Sequence, residues 1–267
     1  MKKTICTLPA LLVLLSVYGQ QKQGKVVYER TTQMEIHIQG LADDMAQSLP
    51  RSHKDKLEVL FANDQSLRRS VEDNTPEELA EPEGGMQVHM VMAGAGDITY
   101  TNLATGQIIE GTEFGAKNYI ITDSVRHPNW KLTGATTTIL NYPCQQAVMQ
   151  RIGKRSSATM ENGKLETKEV ADTANIVVWF TPSIPVSAGP EYQGQLPGLI
   201  LGIDINNGRT VYTATSLSDQ ADLTEIKAPS KGKKVTRAEF EKERDKLMGT
   251  MQRSHGARAA GTIRIAQ

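Results

Sequence analysis

The sequence predicts a mainly β, single-domain protein: one curved antiparallel sheet of half-barrel type, with a C-terminal helix packed on it. Three observations predict it. Apolar residues alternate with polar ones along most of the chain, Asn-Gly dipeptides separate alternating runs, and one long stretch near the end carries helical spacing behind a cap. Short strands, frequent turns and no intervening helices imply antiparallel pairing rather than alternating strand–helix units.

The chain opens with Lys2-Lys3, an apolar run from Leu8 to Val17 broken by Pro9 and Ser16, then Gly19 and polar Gln20-Gln21. A basic start, a short apolar stretch and a small residue before polar text read as a secretory signal peptide over residues 1–20. The run is shorter than the roughly 20 apolar residues a membrane span needs. The expected organisation is therefore a signal at 1–20, a β-rich domain at 21–252 and a flexible Gly/Ala-rich tail at 253–267.

Residues 26–38 alternate: Val26, Tyr28, Met34, Ile36 and Ile38 share a face with Arg30 and Thr32, which predicts a half-buried strand. Leu41, Met45 and Leu49 fall four apart, a short helical stretch ended by Pro50. Leu57, Val59 and Phe61 alternate, 62–65 form a turn, and Ser66 to Val71 return as a strand. Glu72 to Glu83 is acidic and without period, the pattern of a loop. Further strands are expected at 97–102, 106–112, 117–123, 130–140 and 144–152. Asn162-Gly163 turns a hairpin from 154–160 to 165–170, and Asn207-Gly208 turns another between 199–206 and 209–216. Lysines 231, 233 and 234 read as a solvated linker. Thr236 and Glu239 then form a capping box for a helix whose Phe240, Leu247, Met248 and Met251 recur on one side.

Composition narrows function. The chain has 30 basic and 30 acidic side chains, and loss of Lys2 and Lys3 with the signal leaves a formal charge of −2. That balance argues against nucleic-acid binding by bulk electrostatics. Of two cysteines, Cys6 leaves with the signal, so Cys144 has no intrachain disulfide partner and reads as a small buried hydrophobe.

Residues 179–201 are rich in proline and glycine, which restrict the backbone and predict a rigid, non-helical connection into an apolar strand. Here Trp179, Pro185, Gly189 and Pro190 precede Leu196-Pro197-Gly198-Leu199-Ile200. That run resembles the last five letters of the motif naming the GLPGLI family, with Gln195 in place of the first glycine. Trp130-Lys131-Leu132, Asn141-Tyr142-Pro143-Cys144 with Ala147, and the lysine-rich text before the last helix resemble the family as well, so that the likeness runs from about residue 25 to 252. The resemblance implies an exported Bacteroidota protein of the periplasm or outer envelope, without an established activity.

The most suggestive metal-ligand text is Met86-Gln87-Val88-His89-Met90-Val91-Met92. Thioethers with imidazole suit copper(I), making Met86, His89, Met90 and Met92 its candidate ligands, although alternation also fits an apolar strand face. The five histidines, 37, 53, 89, 127 and 255, keep no ligand spacing, and neither a phosphate-cradling glycine loop nor a nucleophile elbow is present. Asp123-Ser124-Val125 and Asp172-Thr173-Ala174 fit the O-glycosylation pattern of exported proteins in that phylum. The expectation is a non-catalytic envelope protein without a cofactor, binding another envelope protein. The alternatives are carriage of a lipid or other hydrophobic ligand in a half-barrel, and copper handling at 86–92.

Overall fold

The computed structural model describes residues 22–33, 51–71, 96–161 and 164–255. The strands are β1 (Gly24–Gln33), β2 (Ser52–Ala62), β3 (Gln65–Val71), β4 (Ile98–Asn102), β5 (Gln107–Phe114), β6 (Lys117–Ser124), β7 (Lys131–Ile139), β8 (Tyr142–Glu161), β9 (Lys164–Thr181), β10 (Leu199–Ile205), β11 (Thr210–Ser218) and β12 (Lys233–Thr236). One helix, α1 (Arg237–His255), follows, and a 3-10 turn spans Leu223–Glu225. The strands form a single sheet in the order β12-β6-β5-β4-β3-β2-β1-β11-β10-β9-β8-β7. Every pairing is antiparallel except β12 with β6, so the sheet is mixed at one edge.

Most elements arise where the alternation places them, with three corrections. Residues 142–161 form one continuous strand where two were expected, because the apolar period is broken by Gly153 but the ladder to β9 is not. The lysine-rich linker is partly strand β12: Val235 is buried beside Ile121 while Lys233 and Lys234 stay exposed. The helix continues to His255, past the expected start of the tail. The helical stretch at 41–49, the strand residues 34–38, the acidic loop 72–83, the Asn162-Gly163 turn and the tail from 256 lie outside the described residues. The strands flanking that turn do pair, from Glu161 opposite Lys164.

The turns follow backbone chemistry. Asn63 and Asp64 take left-handed φ values of 50° and 57° between β2 and β3, as do Asn206 and Asn207 between β10 and β11. Asparagine and aspartate tolerate that region best among residues with a side chain. The capping box is formed: the Thr236 amide donates to Glu239 Oε2 at 2.7 Å, and the Glu239 amide to Thr236 Oγ1 at 3.3 Å. Phe240 then seats its ring edge-on to Tyr119, centroids 5.2 Å apart, and fixes the helix against β6.

The inward face is defined by register. Val26, Tyr28 and Arg30 of β1 stand beside Val59, Leu57 and Asp55 of β2, and Tyr28 and Arg30 stand beside Ala214 and Tyr212 of β11. Further along, Ile203, Val178 and Ala147 continue the face on β10, β9 and β8. The sheet rolls: Leu140 and Tyr142, from the turn joining β7 and β8, pack into the same apolar cluster as Leu217 of β11, although β10, β9 and β8 separate β7 from β11 in the sheet.

The Pro/Gly segment closes this roll. Residues 182–198 cross the apolar face, burying Ile184, Ala188 and Leu196 and leading into buried Leu199 and Ile200. Each large aliphatic side chain so buried contributes about 1.5–3 kcal/mol. The irregular backbone is tied down by its own bonds: the Gly194 amide donates to Ser187 O, Leu199 to Ile184 O, and Ile200 to Ala188 O, at 2.7–3.0 Å. Burying a connection this way works only when its amides and carbonyls find partners.

Candidate functional site

The family-like residues gather around this closure. Trp179 packs at the edge of the core, Gly189 and Pro190 are buried, and Pro185 and Pro197 face solvent. A side chain at Gly198 would run into the Thr181 carbonyl oxygen, and Gly194 holds φ +76°. Gln195, just before the Leu196–Ile200 run, is not among the left-handed residues, so a side chain is tolerated there. Its Oε1 accepts a hydrogen bond from Trp130 Nε1 at 3.2 Å, and the Trp130 ring meets Tyr192 edge-on with centroids 5.4 Å apart. The segment therefore acts as a cover, locked from β7's approach; where it runs into β10, the Tyr28 hydroxyl of β1 donates to Ile200 O at 2.6 Å.

Beyond β2 the chemistry of the inward face changes. Register places Ser66, Arg68 and Ser70 of β3 opposite Phe61, Val59 and Leu57. Thr99 and Thr101 of β4, then Ile108 and Glu110 of β5, continue the row, and Ile121 and Asp123 of β6 follow. Arg68, its side chain only 14% exposed, donates from Nη1 to Glu191 Oε1 at 2.6 Å and to Pro190 O at 3.1 Å. Both acceptors belong to the covering segment. Gln193 adds another link: its Nε2 donates to Gly189 O while its Oε1 accepts from Thr101 Oγ1. The cover thus ends where the apolar face ends, fastened to the polar face by an ion pair and a hydrogen-bond chain.

Other cations in the row are matched by carboxylates. Arg30 grips Asp55 through Nε and Nη2 at 2.8 and 2.7 Å. Arg237 at the start of α1 pairs with Glu110 at 2.5 Å and approaches Asp123 at 3.6 Å. Burial works most strongly against the charge of Arg68, but Glu191, Tyr212, Glu110 and Asp97 together more than offset it and hold the guanidinium charged. Asp97 sits at the end of this row with its pKa raised, chiefly by burial, against a lowering hydrogen bond from Thr112. Burial also raises Tyr212, whose hydroxyl donates to Glu191 Oε1 at 3.4 Å.

Two groups in the row are left over. The hydroxyls of Ser66 and Ser70 are buried without a hydrogen-bond partner, on either side of Arg68. An unmet buried hydroxyl costs about 1–3 kcal/mol, so this pair is a weak point of the row among the described residues; Ser66 is fully buried, and the surface of this half is presented instead by part-exposed Glu191 and Arg237. Strand geometry spaces the three side chains about 6.6 Å apart along one face. Alternation places Arg30 and Thr32 on the apolar face of β1; the β3 row is signalled only by the Ser-x-Arg-x-Ser alternation of 66–70.

Met86, His89, Met90 and Met92 lie outside the described residues, as do His37 and His89 of the histidine set. No group of three metal-ligating side chains occurs among the described residues. Cys144 is buried in the apolar cluster, and burial raises its thiol pKa. Ser124 and Thr173, at the glycosylation-like sites, are exposed. No helix among the described residues is long and apolar enough to cross a membrane.

Residues 130–202 match a family described as "Protein of unknown function (Porph_ging)". That stretch holds β7 to the start of β10 and the whole cover. No curated protein matches the chain. Among solved structures, PNGF-II is similar in two crystal forms, C2 and P21, at 15% identity and TM-scores of 0.49 and 0.50. The likeness covers 84% of this chain but only 33% of PNGF-II, so this chain spans about a third of its length.

Proposed function

We propose that this chain is an exported, non-catalytic binding module of the bacterial cell envelope, of the GLPGLI type. The observation that carries this reading is the closure of the apolar face by residues 182–198. A carrier of greasy ligands needs that face open, whereas here Ile184, Leu196, Leu199 and Ile200 already occupy it. Recognition then falls to the polar half, where Glu191 and Arg237 stay part-exposed. Two carboxylates of that half, Glu191 and Glu110, are engaged by the guanidinium groups of Arg68 and Arg237. The signal-like text at 1–20 and the resemblance of 25–252 support export.

Native mass spectrometry of the protein recovered from its own cells tests this. A complex with a second protein, lost in a Glu191→Gln variant that stays folded, is the expected result. A bare chain overturns the reading. A stoichiometric lipid-sized adduct replaces it with carriage, and a copper-sized one with metal handling.

A further inference from the structure

The two edges of the sheet are built differently. At one edge, β12 has four residues, presents Lys233 and Lys234, and runs straight into α1, whose Glu243 pairs with Lys233. Shortness, charge and a covering helix are the usual protections of an edge. The opposite edge, β7, has nine residues, pairs among the described residues only with β8, and is exposed from Lys131 to Thr138 on both faces. No charged residue lies between Lys131 and Arg151, in a chain where 22% of residues are charged. A bulge between Leu132 and Thr136, with Gly134 at φ +80°, is pinned by Thr133, whose hydroxyl donates to Gln146 and accepts from the Ala135 amide. The bulge leaves Thr136–Ile139 as a regular edge with an open ladder.

We infer that this edge pairs with β7 of a second copy, antiparallel, about a twofold axis at Thr137. This goes beyond the envelope-binding reading and does not need it. A twofold axis perpendicular to a sheet must set a residue opposite itself, so Thr137 faces Thr137 and Thr136 faces Thr138 of the other copy. Directly opposed threonines are favourable cross-strand pairs. The charge pattern selects a copy over a foreign strand: an uncharged edge offers no electrostatic attraction to a charged partner, whereas self-pairing opposes no like charges, because Lys131 of one copy falls beyond the Leu140–Asn141 turn of the other. Antiparallel pairing also brings Leu132, 63% exposed, to the turn end of the other copy. There a shallow open depression is lined by Leu140, Asn141, Tyr142, Ser216 and Leu217.

Sedimentation equilibrium on the purified chain alone tests this, so its outcome is independent of any envelope partner. The chain should sediment with twice its monomer mass at micromolar concentration. Thr137→Lys and Thr137→Glu should each weaken the dimer by about tenfold or more, since each opposes like charges. Mixing the two variants should restore it. Because folded heterodimers form only from folded chains, that rescue also excludes misfolding. A monomer at every concentration, or variants that associate as tightly as the parent, overturns the inference. As a second readout, Thr137→Cys should yield a disulfide-linked dimer on mild oxidation, while Thr215→Cys on β11 should not.

Discussion

The inward face has two halves that solve the same problem differently. From β8 to β2 it is mainly apolar and shielded by a segment of its own chain; its few polar groups are matched one by one, the Tyr28 hydroxyl by the Ile200 carbonyl, Arg30 by Asp55 and the Tyr212 hydroxyl by Glu191. From β3 to β6 it is lined by arginines, carboxylates and hydroxyls, shielded partly by pairing among themselves. The difference teaches where stability resides and where recognition can. A covered apolar face is stable and closed. A polar face that keeps Glu191 and Arg237 part-exposed can still meet a bound group.

Substitutions sharpen that comparison. The largest effect belongs to the apolar half: Phe180→Ala, fully buried on β9, should cost about 3–5 kcal/mol in chemical denaturation. A loss below about 1 kcal/mol would mean that the cover does not pack as described. In the polar half, Glu191→Gln leaves Arg68 without its carboxylate and should cost about 1–3 kcal/mol. Its side chain is over a third exposed, so solvent screens part of the loss. The cover should loosen first at Pro190–Gln193, read as faster amide exchange there with β9 unchanged.

Alkaline pH separates the halves in another way. Burial raises the pKa of Tyr28 and Tyr212 in the folded state, so the folded chain holds those protons more tightly than the unfolded chain. Stability is then full below about pH 10 and falls as pH rises past the ordinary tyrosine range. Tyr28→Phe should flatten that decline while losing about 1 kcal/mol at neutral pH for the missing bond to Ile200 O. Asp97 follows the same sign in the acid range: its raised pKa makes the polar half most stable below the ordinary carboxylate range, with stability falling as pH rises. Asp97→Asn should remove that slope. The smallest effect has the opposite direction. Ser66→Ala should stabilise the free chain, by up to about 1 kcal/mol, because it deletes an unmet buried hydroxyl. Thermal unfolding that shows a loss instead would reveal a partner for that hydroxyl within the chain.

Much of the fold was legible because its signals are local. Alternation located β1 to β6, and Asn206-Asn207 and Asn63-Asp64 turn the chain where left-handed backbone is needed. The capping box at Thr236 located α1. What was not legible is non-local. Nothing in Lys233-Lys234-Val235 says that it pairs in parallel with β6, and Gly153 looked like a break until its strand was seen continuing opposite Asp172. The Pro/Gly segment was recognisable as a wall, but only the long-range contacts of Ile184, Leu196 and Arg68 show which face it covers and where it stops. The β3 row was missed because a Ser-Arg-Ser alternation reads as a solvent face when nothing local indicates that Arg68 is buried.

Amide hydrogen exchange across residues 184–200 tests the closed face most directly. The amides of Leu199 and Ile200, bonded to Ile184 O and Ala188 O, should exchange no faster than those of Val26 and Tyr28 on β1, and adding detergent micelles or lipid should not change them. Exchange orders of magnitude faster than β1, or opening of 184–200 when a hydrophobic ligand is added, would contradict the closed face and make the segment the lid of a carrier.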